Sequence, residues 1–68
     1  MKGYTAVFYG VRHYILPNED GKWEFGYYNE NGKWIPVLGY FDDPESAKRG
    51  VWSCAGAVYD PNKWEVSE

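Results

Sequence analysis

The chain has a single cysteine, Cys54, and a single histidine, His13. One cysteine excludes an intramolecular disulfide, and one residue of each kind excludes a His/Cys metal cluster within one chain. The lack of disulfides favours a reducing, cytoplasmic setting. No apolar run approaches the ~18 residues of a membrane span, so no membrane association is expected. The first residues, MKGYTAVFYG, lack the separate apolar core of a signal segment. Basic side chains are also scarce, seven against ten acidic ones, for a net charge of −3. Such a chain is repelled by nucleic acid unless its few Lys and Arg collect on one surface.

Aromatic residues, in contrast, are plentiful. Four Trp, seven Tyr and three Phe occur in 68 residues, enough for one domain spanning residues 1–68. A chain this short buries only ~60% of its unfolded surface, so its core side chains must be large. Seven of the rings fall in KWEFGYYNENGKWIPVLGYF, residues 22–41. A core explains one face of that segment, and the other face needs another reason. No repeat, linker or low-complexity tract stands out.

Asn31-Gly32 is the preferred pair for a two-residue hairpin turn. With those two as the loop, Tyr28 faces Ile35, Gly26 faces Val37 and Glu24 faces Gly39. On the other face Phe25 meets Leu38 and Trp23 meets Tyr40. The expected core face is therefore Trp23, Phe25, Tyr27, Trp34, Leu38 and Tyr40. The opposite face carries Glu24, Tyr28 and Glu30 together with Ile35, Val37 and Phe41. Upstream, residues 4–16 are rich in β-branched and aromatic side chains and predict one strand, with a bulge at Gly10. An even-numbered loop through Pro17–Gly21 would turn Tyr14 and Leu16 to the core. An odd-numbered one would turn Val11 and Ile15 there, with Arg12 outward.

Downstream, Asp43 is a helix N-cap, Pro44 suits the first helical position and Glu45 the positive end of the dipole. Ala47, Val51, Cys54 and Val58 form one stripe at helical spacing, with Gly50 and Ala55 beside it. Small residues there complement large rings on the sheet. The closing segment KWEV predicts a short further strand or a docked tail. The expected fold class is α+β: a three-stranded antiparallel sheet with one helix packed across one face, β-β-β-α, and a short C-terminal strand.

The residues Tyr9-Gly10-Val11-Arg12, Gly21-Lys22-Trp23, Leu38-Gly39-Tyr40-Phe41-Asp42, Glu45, Ala47 and Cys54-Ala55 carry a family resemblance. Over residues 9–55 the chain resembles the DNA-binding domain of plant ethylene-response factors, which has relatives in phage homing endonucleases and transposon integrases. The resemblance implies a three-stranded sheet with a helix across it, and DNA read by Arg and Trp on the exposed sheet face. The arginine of the family's Gly-Val-Arg matches Arg12. The second-strand arginine matches Tyr28, and the glutamate two before it matches Gly26. The third-strand arginine and tryptophan match Ile35 and Val37. One charged reader of five is kept, and the resemblance favours the odd-numbered loop. Without arginines the face has little to offer guanine or phosphate.

Catalytic chemistry has no foothold here. Asp42, Asp43 and Glu45 are explained by the helix start without a metal, and Cys54 falls on the buried stripe as a packed thiol. His13 is expected as a strand residue at the sheet surface or edge. No phosphate loop or nucleophile elbow occurs, so no enzyme activity, cofactor or metal is expected. The expectation is a small protein-binding module using Arg12, Glu24, Tyr28, Glu30, Ile35, Val37 and Phe41. Apolar groups ringed by charge suit a protein interface. In size and acidity the chain is similar in kind to phage-encoded inhibitors, anti-CRISPR proteins among them, which block nucleic-acid-binding proteins. The alternatives are duplex DNA reading by the same face and a homodimer through it.

Overall fold

Three tight turns set the architecture. The structure, a computed structural model, describes residues 3–56 and 58–67, excepting the side chain of Ala55. Strands β1 (Gly3–Phe8), β2 (Val11–Pro17), β3 (Trp23–Tyr28) and β4 (Trp34–Phe41) run in succession. Helix α1 (Pro44–Ala55), a 3-10 turn at Pro61–Lys63 and strand β5 (Glu65–Ser67) follow. The sheet order is β4-β3-β2-β1-β5, with every pairing antiparallel. The α+β class holds, and the sheet has five strands rather than three.

The stretch expected as one strand over residues 4–16 is a hairpin. Tyr9 and Gly10 have φ of 54° and 74°, and Phe8 pairs with Val11 across them. Positive φ at both central residues is the signature of a two-residue hairpin turn of type I′. Positive φ is uncommon for a residue as bulky as Tyr9, and here its ring packs edge-on against Tyr59 at 5.8 Å.

The other two hairpins share one loop. In Asn18–Lys22 and in Asn29–Lys33, the first and last residues pair through the asparagine N–H and the lysine carbonyl, at 2.7 and 2.9 Å. Each asparagine carbonyl accepts from the glycine amide, and Gly21 and Gly32 lie at φ 76° and 78°. Each Asn side-chain oxygen accepts two amides, from Asp20 and Lys22 in one loop and from Asn31 and Lys33 in the other. This is the three-residue hairpin loop that ends in a left-handed glycine. The sequence repeats with it: Asn18-Glu19-Asp20-Gly21-Lys22-Trp23 and Asn29-Glu30-Asn31-Gly32-Lys33-Trp34. The chain therefore does contain an internal repeat.

The three-residue loop shifts the β3–β4 register by one from the expected pairing. Tyr28 pairs with Trp34, Tyr27 with Ile35 and Gly26 with Pro36. The register then slips twice, so that Phe25 meets Leu38 as expected and Trp23 meets Phe41. The residues in excess on β4 fall around Val37 and Tyr40, which are 51% and 69% exposed. A bulge leaves such residues unpaired and bends the strand. Trp34 consequently leaves the expected core face, and Tyr40 is exposed. Ile35 and Phe41 move to the helix side.

One face of the sheet is covered by α1. Asp43 caps it by accepting from the Ser46 amide at 2.7 Å, and that bond holds the Asp43 carboxyl below its ordinary range. Ala47 and Val51 are fully buried, and Phe41 packs where a side chain on Gly50 would stand. Trp52, Ser53 and Cys54 are exposed. Cys54 is thus a surface thiol rather than a packed one. The reason is that the helix stops at Ala55, where Gly56 at φ 111° turns the chain. Tyr59 and Trp64, instead of Cys54 and Val58, then cover the Phe8–Phe25 end of the sheet. The Ala55 side chain, expected beside the stripe, lies outside the described residues.

The core holds Ala6, Phe8, Ile15, Phe25, Ala47, Val51 and Trp64, flanked by Tyr4, Trp23, Leu38, Phe41 and Tyr59. His13 belongs to it rather than to the surface. Its odd-numbered position on β2 matches Ile15, its ring stacks on Phe25 at 5.2 Å, and Nδ1–H donates to the Val11 carbonyl at 2.9 Å. The segment expected as a strand or docked tail does both: Trp64 docks and β5 pairs with β1.

Trp64 is 8% exposed, and its Nε1–H has no partner among the described residues. A chain of this length has about 3–10 kcal/mol of stability, and truncating a buried Trp to Ala removes about 3–5 kcal/mol. Trp64→Ala is therefore expected to unfold much of the population at room temperature in a urea titration. Trp64→Phe is expected to cost far less, since it also removes a buried donor without a partner. Equal losses would mean that the indole N–H is satisfied.

Candidate functional site

The face of the sheet away from α1 has no covering element among the described residues. Alternation along β1, β2 and β3 turns Thr5, Val7, Arg12, Tyr14, Leu16, Glu24 and Tyr28 toward it, and the β4 register adds Trp34 and Pro36. The two loops explain how a tryptophan comes to lie there. They are eleven residues apart, an odd offset, and β3 between them is six residues long. Trp23 leaves its loop facing the helix. Trp34 leaves the copy facing the other way.

Three rings run across this face. Tyr14 meets Tyr28 edge-on at 5.3 Å, and Tyr28 meets Trp34 at 5.1 Å with the rings tilted by 57°. Beside them lies a groove of about 530 Å³, lined by Leu16, Pro17, Asn18, Glu19, Glu24, Tyr28 and Trp34. Its volume is within the ~300–1,000 Å³ usual for ligand clefts. Glu24 is half-buried at its base. The Trp34 indole N–H donates to Glu24 Oε1 at 2.9 Å, and the Asn18 amide donates to Oε2 at 3.1 Å. Asn18 thereby shapes the first loop with its oxygen and positions the carboxylate with its nitrogen.

Both donors to Glu24 are uncharged, and no ion pair of Glu24 occurs among the described residues. Two basic groups of the region are engaged elsewhere. Lys22 is bonded to Asp42, which raises its pKa, and Arg12 donates to the Thr5 hydroxyl at 3.2 Å. Glu19 adds a second carboxylate at the groove. Its charge reinforces that of Glu24. The groove is anionic with largely apolar walls.

The residues expected for a partner site are placed as follows. Arg12, Glu24 and Tyr28 lie on the open face, and Glu30 stands exposed in the second loop. Val37 is exposed at the β4 edge, in a small hollow of about 150 Å³ that Glu24 also lines. Ile35 and Phe41 face the helix side and are not brought together with the others. Tyr14, Leu16, Asn18 and Trp34 complete the face; the odd-numbered loop places Tyr14 and Leu16 there, whereas Trp34 was expected on the core face and Asn18 was not singled out. The repeated Asn-Glu-x-Gly-Lys-Trp string is the signal that could have found Trp34 and Asn18. No group of three or more His, Cys, Asp or Glu poised for a metal occurs among the described residues, and no helix is long and apolar enough to cross a membrane. Comparison with protein-family models, with curated proteins and with solved structures finds no match for the chain.

Hydrogen bonds to a charged acceptor contribute about 1.5–3 kcal/mol. Glu24→Ala is expected to lower stability by about that amount and to speed exchange of the Trp34 indole proton with solvent. Unchanged exchange of that proton would show that the Glu24–Trp34 bond does not form in solution.

Proposed function

We propose that the protein is a non-enzymatic binding module that engages a protein partner through the open face of its sheet. The observation that carries this reading is the row Tyr14–Tyr28–Trp34, with Leu16, on the uncovered face of the sheet beside an anionic groove, with Tyr28 exposed and the other three half-buried. Tyr and Trp supply rigid contact area and dominate binding energy at protein interfaces. The net charge of −3 suits a basic partner surface. In small size and acidity the chain is similar in kind to phage-encoded inhibitors, anti-CRISPR proteins among them, that cover the nucleic-acid-binding groove of another protein, and by that analogy the open face is the surface that would do so.

Direct DNA reading, which the resemblance to ethylene-response-factor domains would imply, has one arginine on this face to support it, Arg12. Carboxylates at positions 19 and 24 oppose it, because phosphate binding needs cations.

The test compares the wild-type protein with Tyr14→Ser/Tyr28→Ser, which removes the exposed Tyr28 ring and the half-buried Tyr14 ring; losing their ring contacts should lower the thermal transition, so both forms are compared well below it, where each is folded. Immobilised wild type is expected to retain protein species that the double variant loses, while labelled duplex DNA at low salt binds neither. Identical retention by both forms would overturn the reading. So would DNA binding that weakens with salt and is lost in Arg12→Ala.

A further inference from the structure

The groove at Glu24 has a specific chemical deficit. A carboxylate offers about four lone-pair sites, and here two are taken by neutral donors, the Trp34 indole and the Asn18 amide. Those bonds fix the orientation of the group and leave its charge uncompensated. The remaining lone pairs adjoin a groove walled by the rings of Tyr28 and Trp34, by Leu16 and by Pro17. A further neutral donor, such as a sugar hydroxyl, would leave the charge as it is. A cation would neutralise it.

We infer that this groove is a receptor for a single arginine side chain, presented by an exposed basic segment of the protein partner. The inference rests on the proposed role of the open face and names the chemistry its partner must display. A guanidinium is planar, always charged and weakly hydrated, so it forks onto a carboxylate while lying against an aromatic face. Glu24 supplies the fixed acceptor, Trp34 and Tyr28 the ring surfaces, and Leu16 and Pro17 the apolar contact for the methylene stem. Glu19 attracts the charge from the rim. Trp34 has two roles here: its N–H orients Glu24 and its ring forms the wall. This arrangement gives a physical reason for the second copy of the loop to carry a tryptophan on the solvent side of the sheet.

The experiment follows the protein labelled with nitrogen-15 by NMR, while the peptide acetyl-Gly-Arg-Gly-Arg-Gly-amide is added at low salt. The same peptide with citrulline for arginine serves as the uncharged control. Trp34→Phe identifies the Trp34 indole signal among the tryptophans. The Trp34 indole and Asn18 side-chain amide signals should move together along one saturating curve with the arginine peptide. Affinity should be about tenfold lower or weaker still for the citrulline peptide and for Glu24→Gln. Glu24→Gln keeps a carbonyl oxygen to accept from Trp34, so its dispersed spectrum checks that the fold is intact.

Shifts scattered over Glu19, Asp20 and Glu30, equal in wild type and Glu24→Gln, would overturn the site in favour of diffuse attraction. Tighter binding of a matched lysine or trimethyllysine peptide would overturn the choice of arginine. No shift at all would also overturn the inference. Protein capture that still depends on Tyr14 and Tyr28 would then leave the role of the open face standing, so the two failures are distinguishable.

Discussion

The two asparagine-capped loops are the constraint on which the rest of the structure depends. Each ends in a left-handed glycine and delivers a tryptophan directly after its closing pair. Because they are joined by a strand with an even number of residues, the tryptophans emerge on opposite faces. One joins the packing beneath the helix. The other becomes part of the open face and holds Glu24 in place. The two extra residues of β4 are absorbed by its register slips, which return Leu38 and Phe41 to the helix side.

The inner layer answers a problem of size. A sixty-eight-residue chain with one cysteine, and so no internal disulfide, has little area to bury, and its core is built from rings. Phe8, His13, Phe25, Tyr59 and Trp64 lie within 6 Å of one or more of the others, centroid to centroid, at mostly tilted or edge-on angles. Those geometries are favoured by the ring quadrupole. The helix meets the sheet through Ala47, Gly50 and Val51, whose small size lets it sit close over Phe41 and Ile15. Large rings on one layer require small residues on the other.

The helix was legible because its signals are local: an aspartate cap, a proline at the first turn and a stripe of small residues. The hairpins were legible as hairpins, yet their registers were not. Asn31-Gly32 reads as a two-residue turn, whereas Asn29 captures the Asn31 and Lys33 amides and adds one residue to the loop. One residue of slip reverses every side chain until a bulge restores the phase. That is why Trp34 and Ile35 exchanged faces while Phe25 and Leu38 paired as expected. Tyr9-Gly10 hid a true two-residue turn, since tyrosine rarely takes positive φ and a lone glycine inside a β-rich run reads as a bulge. Cys54 and His13 changed places between core and surface because Tyr59 and Trp64, beyond the end of the helix, supply the cover. Of the open face, Glu24 and Tyr28 were legible from alternation along one strand. Arg12, Tyr14 and Leu16 share one parity on β2 and depended on the length of the first loop, for which the family resemblance favoured the odd number, and Trp34 depended on the length of the second.

The central claim is that Trp34 stands on the solvent side of the sheet against Glu24 and Tyr28. Proton–proton Overhauser contacts from the Trp34 indole measure this most directly. The account predicts contacts to the side chains of Glu24, Tyr28 and Asn18. Contacts instead to Phe25, Leu38 or Val51 would place Trp34 beneath the helix and contradict both the register and the site built on it.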